Sequence, residues 1–222
     1  MRVLISESYN IAWFTLADYV ARGEKERALS MHRLLMHSVQ DVAIAQQLEG
    51  DILLAFGDDT AFDKYYTAAI LYKQSGKYQQ AISVCLQVCA LKEDERILQI
   101  LLDIYALLHN KSATLETFSR LAKVYISQNN TELLQKTFQD HFLQSCTLTQ
   151  ALLTARLVRA LLLYDERNTN ITTYMQKTLD LFRVSLQSSQ LQHTDLQKFL
   201  SEVKVLNFDE YKKAEIYLGN NF

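Results

Sequence analysis

On either side of Gly76 apolar residues return every three or four positions, and that rhythm limits the segment to two packed helices. Before the glycine, Tyr65, Ala68, Ala69 and Tyr72 fall at i, i+3, i+4 and i+7, one face of an α-helix. After it, Tyr78, Ala81, Ile82, Cys85, Leu86, Val88 and Cys89 form a broader stripe. Glycine adopts the left-handed conformation that ends a helix without a Cβ penalty, so Gly76 marks the stop. Ala69 and Ala81 are small enough to let two helices approach while tyrosines fill the space beside them. Residues 63–91 therefore read as a helical hairpin.

The order Tyr65, Ala68, Ala69, Tyr72, Gly76, Tyr78, Ala81, Cys85, Val88 resembles one tetratricopeptide (TPR) unit, a helix–turn–helix repeat of about 34 residues. The later positions are looser, and Glu93 stands where the family often has proline. The resemblance implies a right-handed α-solenoid of antiparallel helix pairs. A second register competes with this one. Gly50 and Gly57 could serve as the small residue and turn glycine of a unit whose second helix carries Tyr66 and Ala69. More positions match in the first register, which is preferred.

Composition agrees with an all-α chain. There is no proline and there are five glycines in 222 residues, where average usage gives roughly eleven and fifteen. Sandwiches and barrels need Gly/Pro turns. Arrays of helices with short Asn, Asp and Ser connections do not. The apolar periodicity continues to the end of the chain and predicts about twelve helices, over 7–21, 25–38, 41–56, 60–74, 78–91, 93–108, 111–128, 130–145, 148–165, 170–190, 195–205 and 209–218. Thr147 and Gln150, Thr194 and Gln197, Asn129 and Glu132, and Asn207 and Glu210 have the spacing of capped helix starts. Residues 8–128 are the most TPR-like, and 129–222 continue as divergent helices. A single array over 1–222 is expected, with 166–170 as a weak internal boundary. The ninth helix is apolar nearly all round and should be buried on two sides. The twelfth reads as a terminal cap with one wet face.

The chemistry of sites is sparse. Net charge is −2, with lysines and arginines spread along the chain, so no nucleic-acid partner is expected. No run of about eighteen apolar residues is present for a membrane span. An odd number of cysteines, three, all in apolar helical contexts, points to a reducing, cytoplasmic setting. Cys85 and Cys89 share a helical face, but two ligands are too few for a metal, and neither metal nor cofactor is expected. His141 falls on an apolar face and reads as a core histidine. No phosphate loop, Gly-x-Ser-x-Gly or His-Glu-x-x-His appears, and the acidic pairs Asp58-Asp59 and Asp94-Glu95 read as solvated helix ends.

The TPR resemblance implies a groove for a protein or peptide partner. In the preferred register its inner face carries Tyr66, Ile70, Lys73 and Gln74 on the fourth helix. Gln99 and Asp103 continue it on the sixth, with Arg96 beside them. Family members that grip a C-terminal carboxylate use Lys, Asn and Arg at such positions; here stand Tyr66, Ile70, Gln99 and Asp103, so that clamp is not expected. The sequence reads as a non-catalytic binding scaffold. Two alternatives are a regulatory or secretion-chaperone-like protein whose C-terminal helices cap the array or form a homodimer, and an all-α enzyme with a site between the eighth and tenth helices.

Overall fold

A computed structural model describes the backbone of residues 2–37, 39 and 41–221, and the side chains of 11–37, 39 and 41–219. The described residues form twelve α-helices and no strand. They are α1 Arg2–Ala21, α2 Lys25–Met36, α3 Val42–Ala55, α4 Ala61–Gln74, α5 Tyr78–Leu91, α6 Glu95–Leu107, α7 Lys111–Ser127, α8 Thr131–Leu143, α9 Thr147–Tyr164, α10 Ile171–Gln187, α11 His193–Leu206 and α12 Phe208–Asn221. The expected end of the second helix, residue 38, lies outside the described residues. No helix among them is long and apolar enough to cross a membrane.

Among the described residues, six turns stop a helix through a left-handed residue. Gly23, Gly57 and Gly76 take φ of 75°, 67° and 72°; His109, Asn129 and Ser189 take 53°, 55° and 56°. Only the first three use the residue that adopts this conformation freely.

The chain divides into two compact units, Met1–Ile104 and Tyr105–Phe222. In the first, α3 and α4 are antiparallel and unusually close. The ring of Tyr65 lies where a Cβ on Gly50 would be 3.0 Å away. The Tyr65 hydroxyl donates to Asp51 Oδ1 at 2.7 Å, and Tyr72 donates to Gln47 Oε1 at 3.0 Å. Burial pushes the phenol of Tyr65 up, and the Asp51 carboxylate pushes it further. Alternate helices run parallel. Lys77 reaches back from the start of α5 to Asp41, which caps α3, while Gln87 donates to Asp51 at 3.1 Å. Ala68, Ala69 and Ala81 are fully buried, as the hairpin reading requires. Leu16, Ala28, Leu35 and Ile52, with Trp13 beside them, gather α1, α2 and α3 into one core. Inside that unit His32 is buried, with Nε2 3.0 Å from the Ala45 carbonyl oxygen.

In the second unit α9 packs on α7, α8, α10 and α11. It buries eight side chains, as its all-round apolar character predicts. Phe138 links Phe118, Phe142 and Tyr174 at centroid distances of 6.1, 5.3 and 5.7 Å. Glu166–Asn170 forms the connection from α9 to α10.

Helix starts differ from the spacing in detail. Asn130, not Asn129, caps α8, because Asn129 is the left-handed residue closing α7. Cys146, not Thr147, precedes α9, and Gln150 donates instead to the Phe142 carbonyl at 3.0 Å. At α11 the carboxylate of Asp195 accepts from the Gln192 amide at 2.9 Å, two residues before the expected pair. Asn207 does cap α12, accepting from the Glu210 amide at 3.0 Å. In each displaced case two polar residues lie close together, and the neighbouring backbone decides between them.

Candidate protein-binding face

The helices α4 and α6 run side by side in the same direction within the first unit. Two sets of contacts, each seven residues further along its helix, tie them together. At one end the Arg96 guanidinium lies 5.0 Å from the centroid of the Tyr66 ring. The same guanidinium reaches Asp63 Oδ1 at 3.0 Å and Asp94 Oδ2 at 3.1 Å. At the other end the Lys73 ammonium is 2.6 Å from Asp103 Oδ2, and Gln99 donates to Asp103 Oδ1 at 3.2 Å. Ile70 is half-buried on α4, and Gln74 is exposed at its end.

Five of the residues singled out by the sequence thus meet in pairs or triads: Tyr66 with Arg96, and Lys73 with Asp103 and Gln99. Two partners were not anticipated. Asp63 stands three residues before Tyr66, hence on the same helical face, a spacing the sequence already contains. Asp94 was expected to be solvated, but it is only 8% exposed. Its Oδ1 accepts from the Arg96 amide at 2.9 Å at the start of α6. Burial alone would raise the Asp94 carboxyl. The guanidinium of Arg96 and the amides of Arg96 and Ile97 outweigh that and hold it below its ordinary range. Asp58, the other acid read as solvated, accepts from the Thr60 amide at 2.9 Å and pairs with Lys25.

Residues 65–98 match the family model of the tetratricopeptide repeat. This segment is similar to a tetratricopeptide repeat. The match opens on α4, takes in α5 and ends in α6, so the matched hairpin turns at Gly76. A comparison with curated proteins gives no match. In the matched segment α4 is the first helix and α5 the second.

Other chemistry is scarce. The described residues hold no group of three or more His, Cys, Asp or Glu placed to share a metal. Cys85 is fully buried and its thiol is pushed up to about 12 by burial. Cys146 is exposed before α9, with Sγ 3.3 Å from the Thr149 hydroxyl. An enzyme site between α8 and α10 would need a deep polar cavity. One pocket there, of about 10 Å³ or room for about one water, is lined by Thr131, Leu134, Gln135, Leu157, Leu161, Asn168, Asn170 and Tyr174.

Proposed function

We propose that this protein binds a segment of another protein along the shared face of α4 and α6, and does no chemistry on it. Tetratricopeptide repeats serve in general as protein-interaction scaffolds, generally without catalysis. The observation that carries the assignment is the mutual fixing of polar side chains on this face. Arg96 is held by Asp63, Asp94 and the Tyr66 ring, and Lys73 by Asp103. Groups already held in place lose little freedom when a partner arrives, which favours binding. Tyr66 adds a ring that can bury area and a hydroxyl that can hydrogen-bond. Gln74, exposed, offers an amide suited to a peptide backbone. The free thiols of Cys85 and Cys146 support a cytoplasmic setting.

The test compares partner recovery from a lysate of the protein's own cells using wild type, Tyr66→Ala and Gln99→Ala. Each variant is first shown to remain folded at the temperature of the capture. Recovery should fall about fivefold or more for Tyr66→Ala, the size of effect an aromatic anchor carries. Unchanged recovery with both variants removes this face from the binding site.

A further inference from the structure

The last helix is held by few buried side chains. Where α9 buries eight side chains, the buried ones described on α12 are Ala214 and Glu210, a methyl group and a carboxylate. Glu210 accepts from the Thr172 hydroxyl of α10, at 3.2 Å to Oε1 and 3.1 Å to Oε2, and from Lys213 at 2.5 Å. Further along, the Tyr217 hydroxyl donates to Asp180 Oδ1 at 2.9 Å. These contacts lay α12 parallel to α10, along the stretch from Thr172 to Asp180. A carboxylate sheltered from water loses hydration that its partners only partly replace. Release of α12 therefore restores water to Glu210.

The joint between α11 and α12 is one residue. Asn207 is extended, with φ −153° and ψ 106°. Its amide still donates to the Val203 carbonyl at 2.8 Å, so the hydrogen bonding of α11 already reaches it. No glycine or proline flanks it. Rotation of Asn207 into the helical region would join 193–221 into one uninterrupted helix.

The exposed apolar residues follow that longer helix rather than the bent one. Val205, Phe208 and Ile216 are 86%, 51% and 66% exposed. With Lys212 between the last two, they are spaced three, four and four residues apart. That spacing is one stripe of a continuous helix, although the bend now divides it.

We propose that α12 is a strap that swings off α10 when Asn207 turns helical, fusing α11 with α12 and uncovering the Thr172–Asp180 side of α10. Hydrogen exchange on the full chain, resolved by mass spectrometry, tests it with two variants at the joint. Asn207→Ala removes the cap that holds the bent form and favours helix at 207. Amides of 212–219 should then exchange about tenfold faster than in wild type, with α9 and α10 unchanged. Asn207→Gly keeps an acceptable cap but disfavours the fused helix, so its α12 should exchange more slowly than that of the alanine variant. Three results overturn the proposal: α12 exchange in the alanine variant equal to wild type, a rise shared by α9 and α10, or a glycine variant as fast as the alanine variant. The last would mean that α12 merely frays.

Discussion

The ring of Tyr65 fills the place where any side chain on Gly50 would have to stand. A Cβ there would meet Cδ1 and Cε1 of the ring at 3.0 Å. The ring cannot easily retreat, because it is fully buried and its hydroxyl is bonded to Asp51 and Gln87. Gly50→Ala should therefore destabilise the protein by up to about 2 kcal/mol. Overpacking of about 1–3 kcal/mol is partly offset by about 1 kcal/mol of helix propensity. The midpoint of urea unfolding, with an unchanged slope, measures it. A midpoint at or above wild type would show that Tyr65 yields freely.

Arg96 and Tyr66 give a second prediction. Lysine has no planar fork to reach Asp63 and Asp94 together while lying over a ring. Arg96→Lys should cost about 1 kcal/mol, a modest value because the side chain is half in water. The loss should shrink when Tyr66 is already alanine, and a double-mutant cycle by chemical denaturation reads that coupling. Strict additivity would mean that the ring contact contributes nothing.

Stability should fall as the solution is acidified through the ordinary histidine range, and His32 should account for part of the fall. Burial lowers its proton affinity below the usual 6.5, outweighing the opposing influence of the Ala45 carbonyl and Glu49; Lys64 and Arg33 lower it further. The unfolded chain then takes up a proton first. The stabilisation is complete above about pH 6.5 and is lost progressively below it. His32→Gln, which does not titrate, should flatten the fall in melting temperature between about pH 7.5 and about pH 5.5. An identical slope in both proteins would place the titration elsewhere.

Two of the thiols, Cys146 and Cys85, should react in a fixed order. Hydrogen bonds from the Thr149 hydroxyl and amide lower the Cys146 thiol below its ordinary value, and it is exposed. Cys85 is buried and pushed up to about 12. A disulfide reagent near neutral pH should modify Cys146 within the native protein and leave Cys85 untouched until unfolding, as peptide mapping would show. Early modification of Cys85 would mean that α5 opens readily.

At His109 the backbone is left-handed without glycine, at φ 53°. A side chain there costs about 1 kcal/mol. His109→Gly should raise stability by about 0.5–1 kcal/mol, less than the full relief because glycine also frees the unfolded chain. A lower melting temperature would show that the imidazole makes contacts worth more than the strain.

How far these features can be seen in the sequence depends on how local their causes are. The bend at Gly76 is legible because its glycine and the apolar spacing beside it lie within one hairpin. The αL turns at Asn129 and Ser189 are not, since several polar residues cluster at each helix end and only the closing geometry selects one. The face of α4 and α6 was visible through the repeat resemblance, which aligns Tyr66 and Lys73 with residues about thirty positions later. Its ion pairs were not, because they depend on how far two parallel helices are offset. Asp94 shows the limit most plainly. Three acids in a row, Glu93, Asp94 and Glu95, look alike as letters, and only the docking of Arg96 makes the middle one a buried anchor.

The contacts of Lys77 with Asp41 and of Gln87 with Asp51 each span thirty-six residues. A fixed, modest separation has a kinetic consequence. Every closure along this part of the chain brings together ends about equally far apart, so none carries an outsized entropic barrier. Assembly can begin at any hairpin and spread to its neighbours, and the first unit should collapse quickly for its size, as chains rich in near-neighbour contacts do.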